Sequence, residues 1–167
     1  IVNVSGGTFS GTLMASAWGA AGSAPVATLN ISGGTFTVEE GKSLFTPKNA
    51  SINITGGTFS QDPSAYLVDG YIAVYSGGAY TVMEALGENE VLYMHSDVDT
   101  QNKGTFDTFT AALNNGTTAY VTSGDYVGKP YSNHNILHEK SLSIVGLGDA
   151  DETVFKGTNE KKWPLWI

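Results

Sequence analysis

The 167-residue chain contains no cysteine and no arginine. The first absence excludes disulfides, thiolate metal sites and cysteine nucleophiles. It leaves the compartment open, because many bacterial surface proteins lack cysteine while small secreted eukaryotic domains usually depend on it. The second absence leaves 8 lysines against 16 acidic residues, a net charge of −8. A nucleic-acid groove needs clustered Arg and Lys, so that partner is set aside. An anionic membrane surface is disfavoured for the same reason. Charged residues make up only 14% of the chain, about half the usual share. No apolar run approaches the ~18 residues of a membrane span, so no membrane insertion is expected. No secretory leader is visible.

What is abundant is glycine, 21 residues of it, alongside Ser, Thr and Asn. Low charge with this composition suits a secreted all-β repeat protein and is unusual for a cytosolic enzyme. Apolar residues at 41% suffice for a core, and the length fits one domain or two small solenoid pieces. Ile1 starts inside a strand-like pattern and Ile167 ends inside one, so the chain is expected to be part of a larger protein.

A repeat organises the first half. Its copies are Asn3-Val4-Ser5-Gly6-Gly7-Thr8-Phe9, Asn30-Ile31-Ser32-Gly33-Gly34-Thr35-Phe36 and Asn53-Ile54-Thr55-Gly56-Gly57-Thr58-Phe59. A weaker fourth is Val74-Tyr75-Ser76-Gly77-Gly78-Ala79-Tyr80. The first glycines fall at 6, 33, 56 and 77, giving spacings of 27, 23 and 21 residues. Such spacings fit one turn of a β-solenoid and are too short for a helical hairpin. Val4, Ile31 and Ile54 alternate with polar neighbours and should face inward, as should Phe9, Phe36 and Phe59. Coils stacked ~4.8 Å apart turn equivalent side chains into ladders. Asn3, Asn30 and Asn53 should form an amide ladder. The Gly-Gly pair should supply positive φ at a sharp bend between two short strands, and room for the coil above. Segment 11–25 reads as the longest connection, with an outward loop carrying Trp18. Glu39-Glu40-Gly41-Lys42 and Gln61-Asp62-Pro63-Ser64 read as turns. Tyr66–Val68 and Tyr71–Val74 read as strands around an Asp69-Gly70 turn.

The repeat stops near Gly87. Three segments are therefore expected: coils over 1–86, a polar connector over 87–104 with one short strand, Val91–Met94, and a new start over 105–167. Phe106, Phe109 and Leu113 mark one face of a short helix over 105–114, ended by Asn115-Gly116. Strand signals follow at Ala119–Thr122, Ser141–Val145 and Thr153–Phe155. A solenoid end exposes apolar rungs and unpaired backbone, so the helix reads as a cap.

Thr118 to Tyr126, Lys140-Ser141-Leu142-Ser143-Ile144-Val145-Gly146-Leu147-Gly148 and Thr153-Val154-Phe155-Lys156-Gly157 resemble the opening coil of pectin-lyase-like β-helix proteins. The first half, from Ser32-Gly33-Gly34-Thr35-Phe36 through Asp62–Leu67 to Gly77-Gly78-Ala79-Tyr80-Thr81-Val82, resembles repeats of large surface proteins of gut Gram-positive bacteria. Together the resemblances imply an all-β, right-handed parallel β-helix with one short capping helix. They imply an extracellular or cell-surface location in a bacterium. The family holds polysaccharide lyases and hydrolases as well as adhesins without chemistry.

Lyases of this fold class use a basic residue, often Arg, beside calcium held by acids. Here Arg is lacking and the lysines are scattered. Hydrolases of the fold use Asp residues clustered on consecutive coils. Asp62 and Asp69 fall in or beside turns, where Asp is common, and Asp97 and Asp99 fall in the connector. Asp149, Asp151 and Glu152 share one loop and are weak calcium candidates without the alternating ligands of a dedicated site. His134 and His138 have an i, i+4 spacing, but on a strand they would lie ~13 Å apart; His95 is isolated. Most Asn-x-Ser/Thr sequons are the repeat itself. No cofactor is implied. Exposed aromatics are the better lead, for stacking on sugar rings or docking a protein. Trp18, Tyr71, Tyr75 and Tyr131 are the preferred candidates, while the Trp163–Ile167 tail reads equally as a buried coil. The expected function is therefore a non-catalytic stalk or ligand-binding module, with host or dietary glycans or a host protein as partner. A fragment of a polysaccharide lyase or glycoside hydrolase is the alternative.

Overall fold

A computed structural model describes residues 1–17, 27–95, 115–127, 141–148, 151 and 153–156. The helix expected over 105–114 lies outside the described residues. The chain forms two compact units, Ile1–Ala85 and Leu86–Ile167.

In the first unit three long strands run parallel: β1 (Val2–Ser10), β2 (Ala27–Thr37) and β3 (Ala50–Phe59). Their register superimposes the repeat on itself. Asn3, Asn30 and Asn53 align, as do Val4, Ile31 and Ile54, and Phe9, Phe36 and Phe59. The result is a β-solenoid. The core is Ile31, Phe36, Leu44, Phe45, Ile52, Ile54, Phe59 and Val82. The three repeat phenylalanines stack face to face, each pair with centroids 4.9 Å apart and planes 5° and 7° from parallel. A second side of the coil closes where Leu13 bridges Phe45 and Ser16 bridges Lys48, both in parallel.

The bend expected between two short strands is a bulge inside one strand. The register shifts at Ser5 and again at Ser32, next to each Gly-Gly pair. The two glycines of a pair serve different ends. The second, as at Gly34 with φ of 110°, takes a backbone conformation that side chains disfavour. The first is needed for space: a Cβ at Gly33 would lie 2.6 Å from the Ser5 carbonyl oxygen, and one at Gly56 2.5 Å from that of Ser32.

The fourth copy of the repeat is not a coil. β4 (Tyr71–Ser76) and β5 (Ala79–Glu84) form an antiparallel hairpin, and β5 pairs antiparallel with β3. Gly77 and Gly78, at φ of 59° and 85°, make its two-residue turn, the conformation that reverses a chain between twisted strands. The inward phase is also inverted. Val74, in the place of the ladder asparagine, is buried, while Tyr75, in the place of the inward Ile, is 52% exposed. Because side chains alternate, a shift of one residue exchanges the faces. Tyr66–Val68 is likewise not a strand. A 3-10 turn, η1 (Ser64–Tyr66), precedes a single bridge from Leu67 to Ile54. Leu67 and β5 together cover the outer edge of β3.

In the second unit β6 (Glu90–Tyr93), β7 (Thr118–Thr122) and β9 (Ser143–Leu147) form a parallel sheet. β8 (Gly124–Val127) and β10 (Thr153–Lys156) form a second parallel pair. β6 is the strand of the segment read as connector, and it joins this sheet. Val91, Ala119 and Ile144 align as one ladder. Ala119, Val121 and Tyr126 are the buried centre, with Val91, Tyr93, Leu142 and Ile144 around them. At the corner between β7 and β8 the Tyr126 hydroxyl donates to the Thr122 carbonyl at 2.7 Å. Burial pushes the Tyr126 phenol above its ordinary value, and the Thr122 bond opposes this only partly. Among the described residues no helix is long and apolar enough to cross a membrane.

Candidate functional site

The outward side chains of β1–β3 stand in rows because the inward ones do. The asparagine row is bonded along its length. Asn30 Nδ2 donates to Asn3 Oδ1 at 2.8 Å, and Asn53 Nδ2 to Asn30 Oδ1 at 2.9 Å. Beside it Ser32 and Thr55 each donate to a backbone carbonyl of the preceding coil, Val4 and Ile31, at 3.4 Å. Thr8, Thr35 and Thr58 form a further row in register. None of these side chains carries a charge.

One end of this face opens into a groove of about 570 Å³ lined by Ser10, Gly11, Thr12, Thr37, Val38, Glu39 and Lys42. Its hydroxyls are partly engaged. Ser10 Oγ and Thr37 Oγ1 lie 3.3 Å apart, and Thr12 Oγ1 donates to the Ser43 carbonyl at 2.8 Å. The Glu39–Lys42 turn forms the rim and is held by Gln61. Its Nε2 donates to the Lys42 carbonyl at 2.6 Å, and its Oε1 accepts from the Leu44 amide at 2.9 Å. The groove was not expected. Glu39-Glu40-Gly41-Lys42 reads locally as a turn, and only the 27-residue spacing of Ser10 and Thr37 signals that they are neighbours.

The aromatic candidates separate. Tyr75 is exposed and meets Tyr80 across the hairpin with centroids 4.9 Å apart. Tyr71 is half-buried and packs against the first core. Trp18 and Tyr131 lie outside the described residues, as do Trp163, Trp166, His134, His138, Asp97 and Asp99. Of the calcium candidates, Asp151 is exposed in a turn, while Asp149 and Glu152 lie outside the described residues. Asp62 is occupied locally. Its carboxylate accepts from the Ser64 hydroxyl and from the Ser64 amide at 2.9 Å, which holds it below the ordinary carboxylate range. His95, isolated in sequence, is built into the β7–β8 corner. Its amide donates to Thr122 Oγ1 at 2.7 Å, its Nε2 lies 3.1 Å from the Asp125 carbonyl, and its ring meets Tyr126 edge-on. Among the described residues no three His, Asp or Glu side chains gather as a metal site would require.

Comparison with protein-family models, with curated proteins and with solved structures returned no match to this chain.

Proposed function

We propose that this chain is a non-catalytic module of a bacterial surface or secreted protein, serving as stalk, as ligand-binding surface for host glycans or a host protein, or as both. The observation that carries the reading is the outward face itself. Its polar groups are neutral, and its asparagines are bonded to one another in the Asn3–Asn30–Asn53 ladder while Ser32 and Thr55 bond to the backbone of the preceding coil. Groups held this way stiffen a rod and present a repeating lateral surface. The Ser10–Lys42 groove offers hydroxyl, carboxylate and ammonium groups to a polar ligand. Exposed Tyr75, backed by the half-buried Tyr80, offers an apolar face for a sugar ring or a protein side chain. The pectin-lyase-like resemblance, the surface location and the absence of catalysis belong to this proposal.

The test is a glycan array probed with the purified chain, read beside a pull-down from host mucus. Binding should weaken severalfold in Tyr75→Ala or Thr37→Val. In parallel, pectins, alginates and mucin glycans are assayed for released reducing ends and unsaturated uronates. Turnover that disappears on changing one acidic residue would overturn the reading in favour of a polysaccharide lyase or hydrolase.

A further inference from the structure

The two ends of the first stack differ. The β3 end is closed by Leu67 and the β4–β5 hairpin. The β1 end is open. β1 is the terminal strand of its sheet, nine residues long, without a charged residue or proline. Such an edge is one that proteins ordinarily blunt. Its inward side chains form an unfinished layer. Val4 and Phe9 are half-buried, whereas Ile31, Ile54, Phe36 and Phe59 in the same ladders are fully buried. The amide ladder is unfinished too. Every donation runs towards the preceding coil, so the Nδ2 of Asn3 points where an acceptor would stand, with no partner among the described residues.

Gly6 identifies the occupant. At Gly33 and Gly56 the first glycine of the pair is required because the preceding coil's carbonyl fills the space of a Cβ. At Gly6 nothing among the described residues lies within 4 Å of that position, and its φ is not positive. Neither reason for glycine operates at Gly6 within this structure, yet glycine is there. We propose that the β1 edge is the docking site for one more coil of the same N-[VI]-[ST]-G-G-T-F repeat. It runs parallel to β1 and in register. Its Ser or Thr carbonyl packs against Gly6, its Asn accepts from Asn3, and its Phe stacks on Phe9. A second molecule bringing an antiparallel or unrelated strand would satisfy the backbone edge, but not the glycine, the asparagine and the ring together.

The test fuses a copy of Thr28–Ala50 directly ahead of Ile1. This places the duplicated Asn30, Ile31 and Phe36 over Asn3, Val4 and Phe9. The extended chain should melt at a higher temperature than the original, and its added segment should resist proteolysis. Gly6→Val in the extended chain should abolish both gains. Gly6→Val in the original chain should leave Tm unchanged, because nothing there occupies the site. No gain on extension, a gain that survives Gly6→Val, or a loss of Tm from Gly6→Val alone would each overturn the proposal. Concentration-dependent dimers of the original chain, combined with no gain on extension, would assign the edge to a second copy instead.

Discussion

Phe36→Ala removes the middle ring of a three-ring stack. The side chain is fully buried and has a parallel ring 4.9 Å away on each side. The surroundings have little freedom to collapse into the hole, because Phe9 and Phe59 are held by the registers of their own strands. The expected cost is therefore near the top of the range for such truncations, about 3–5 kcal/mol. Losing two ring contacts, each worth about 0.5–1.5 kcal/mol beyond area, is part of that figure. Phe9→Ala loses one ring contact and only half the burial, so about 1.5–2.5 kcal/mol is expected. Phe36→Leu keeps most of the volume but loses both ring contacts, so about 1–3 kcal/mol is expected. Urea denaturation followed by circular dichroism measures all three, with unchanged m-values as the sign that only stability moved. A loss below about 1 kcal/mol for Phe36→Ala, or a loss at Phe9 equal to it, would refute the stacked core.

Asn30→Ala breaks the amide ladder at its centre and removes two hydrogen bonds, so it should cost about 1–2 kcal/mol in the same assay. Gly77→Asn should be neutral or slightly stabilising, because Asn-Gly suits the two-residue hairpin turn and its positive φ; Gly77→Val should destabilise the unit clearly. Tyr126→Phe should cost about 0.5–1.5 kcal/mol by removing the hydrogen bond to the Thr122 carbonyl. The raised phenol of Tyr126 has a sign that can be checked. Its stabilising contribution is complete below the unfolded value of 10.0 and is lost as pH rises through the higher folded value. Stability above pH 10 should therefore fall less steeply in Tyr126→Phe than in the parent chain.

Much of this fold is legible in the sequence because a parallel solenoid writes its contacts into its repeat. Equal residues at equal places become neighbours, so Asn30 predicts its bonds to Asn3 and Asn53 without any tertiary knowledge. The same logic misleads at Val74–Tyr80, where Gly-Gly looks like a fourth copy. The signal against it was present: Val74 replaces the asparagine and Tyr75 replaces the inward aliphatic residue, which inverts the face. The groove between Ser10 and Lys42 was hidden for a different reason. A turn shows its local chemistry in sequence, but not which coil lies beside it. Tyr71 and Tyr75 look alike as hydrophobic residues of one strand, and only their burial separates a core contact from a surface one. His95 was unreadable, since its partners Thr122, Asp125 and Tyr126 lie about thirty residues away in a segment with no repeat to locate them.

The closest test of the stacked repeat compares one substitution at two equivalent glycines. Gly33→Ala places a methyl group against the Ser5 carbonyl, whereas Gly6→Ala places one in open space. Unfolding free energies from urea titration should show a loss of about 1–3 kcal/mol at Gly33 and no loss, or a small gain, at Gly6. Equal effects at the two positions would contradict the in-register stacking of the coils.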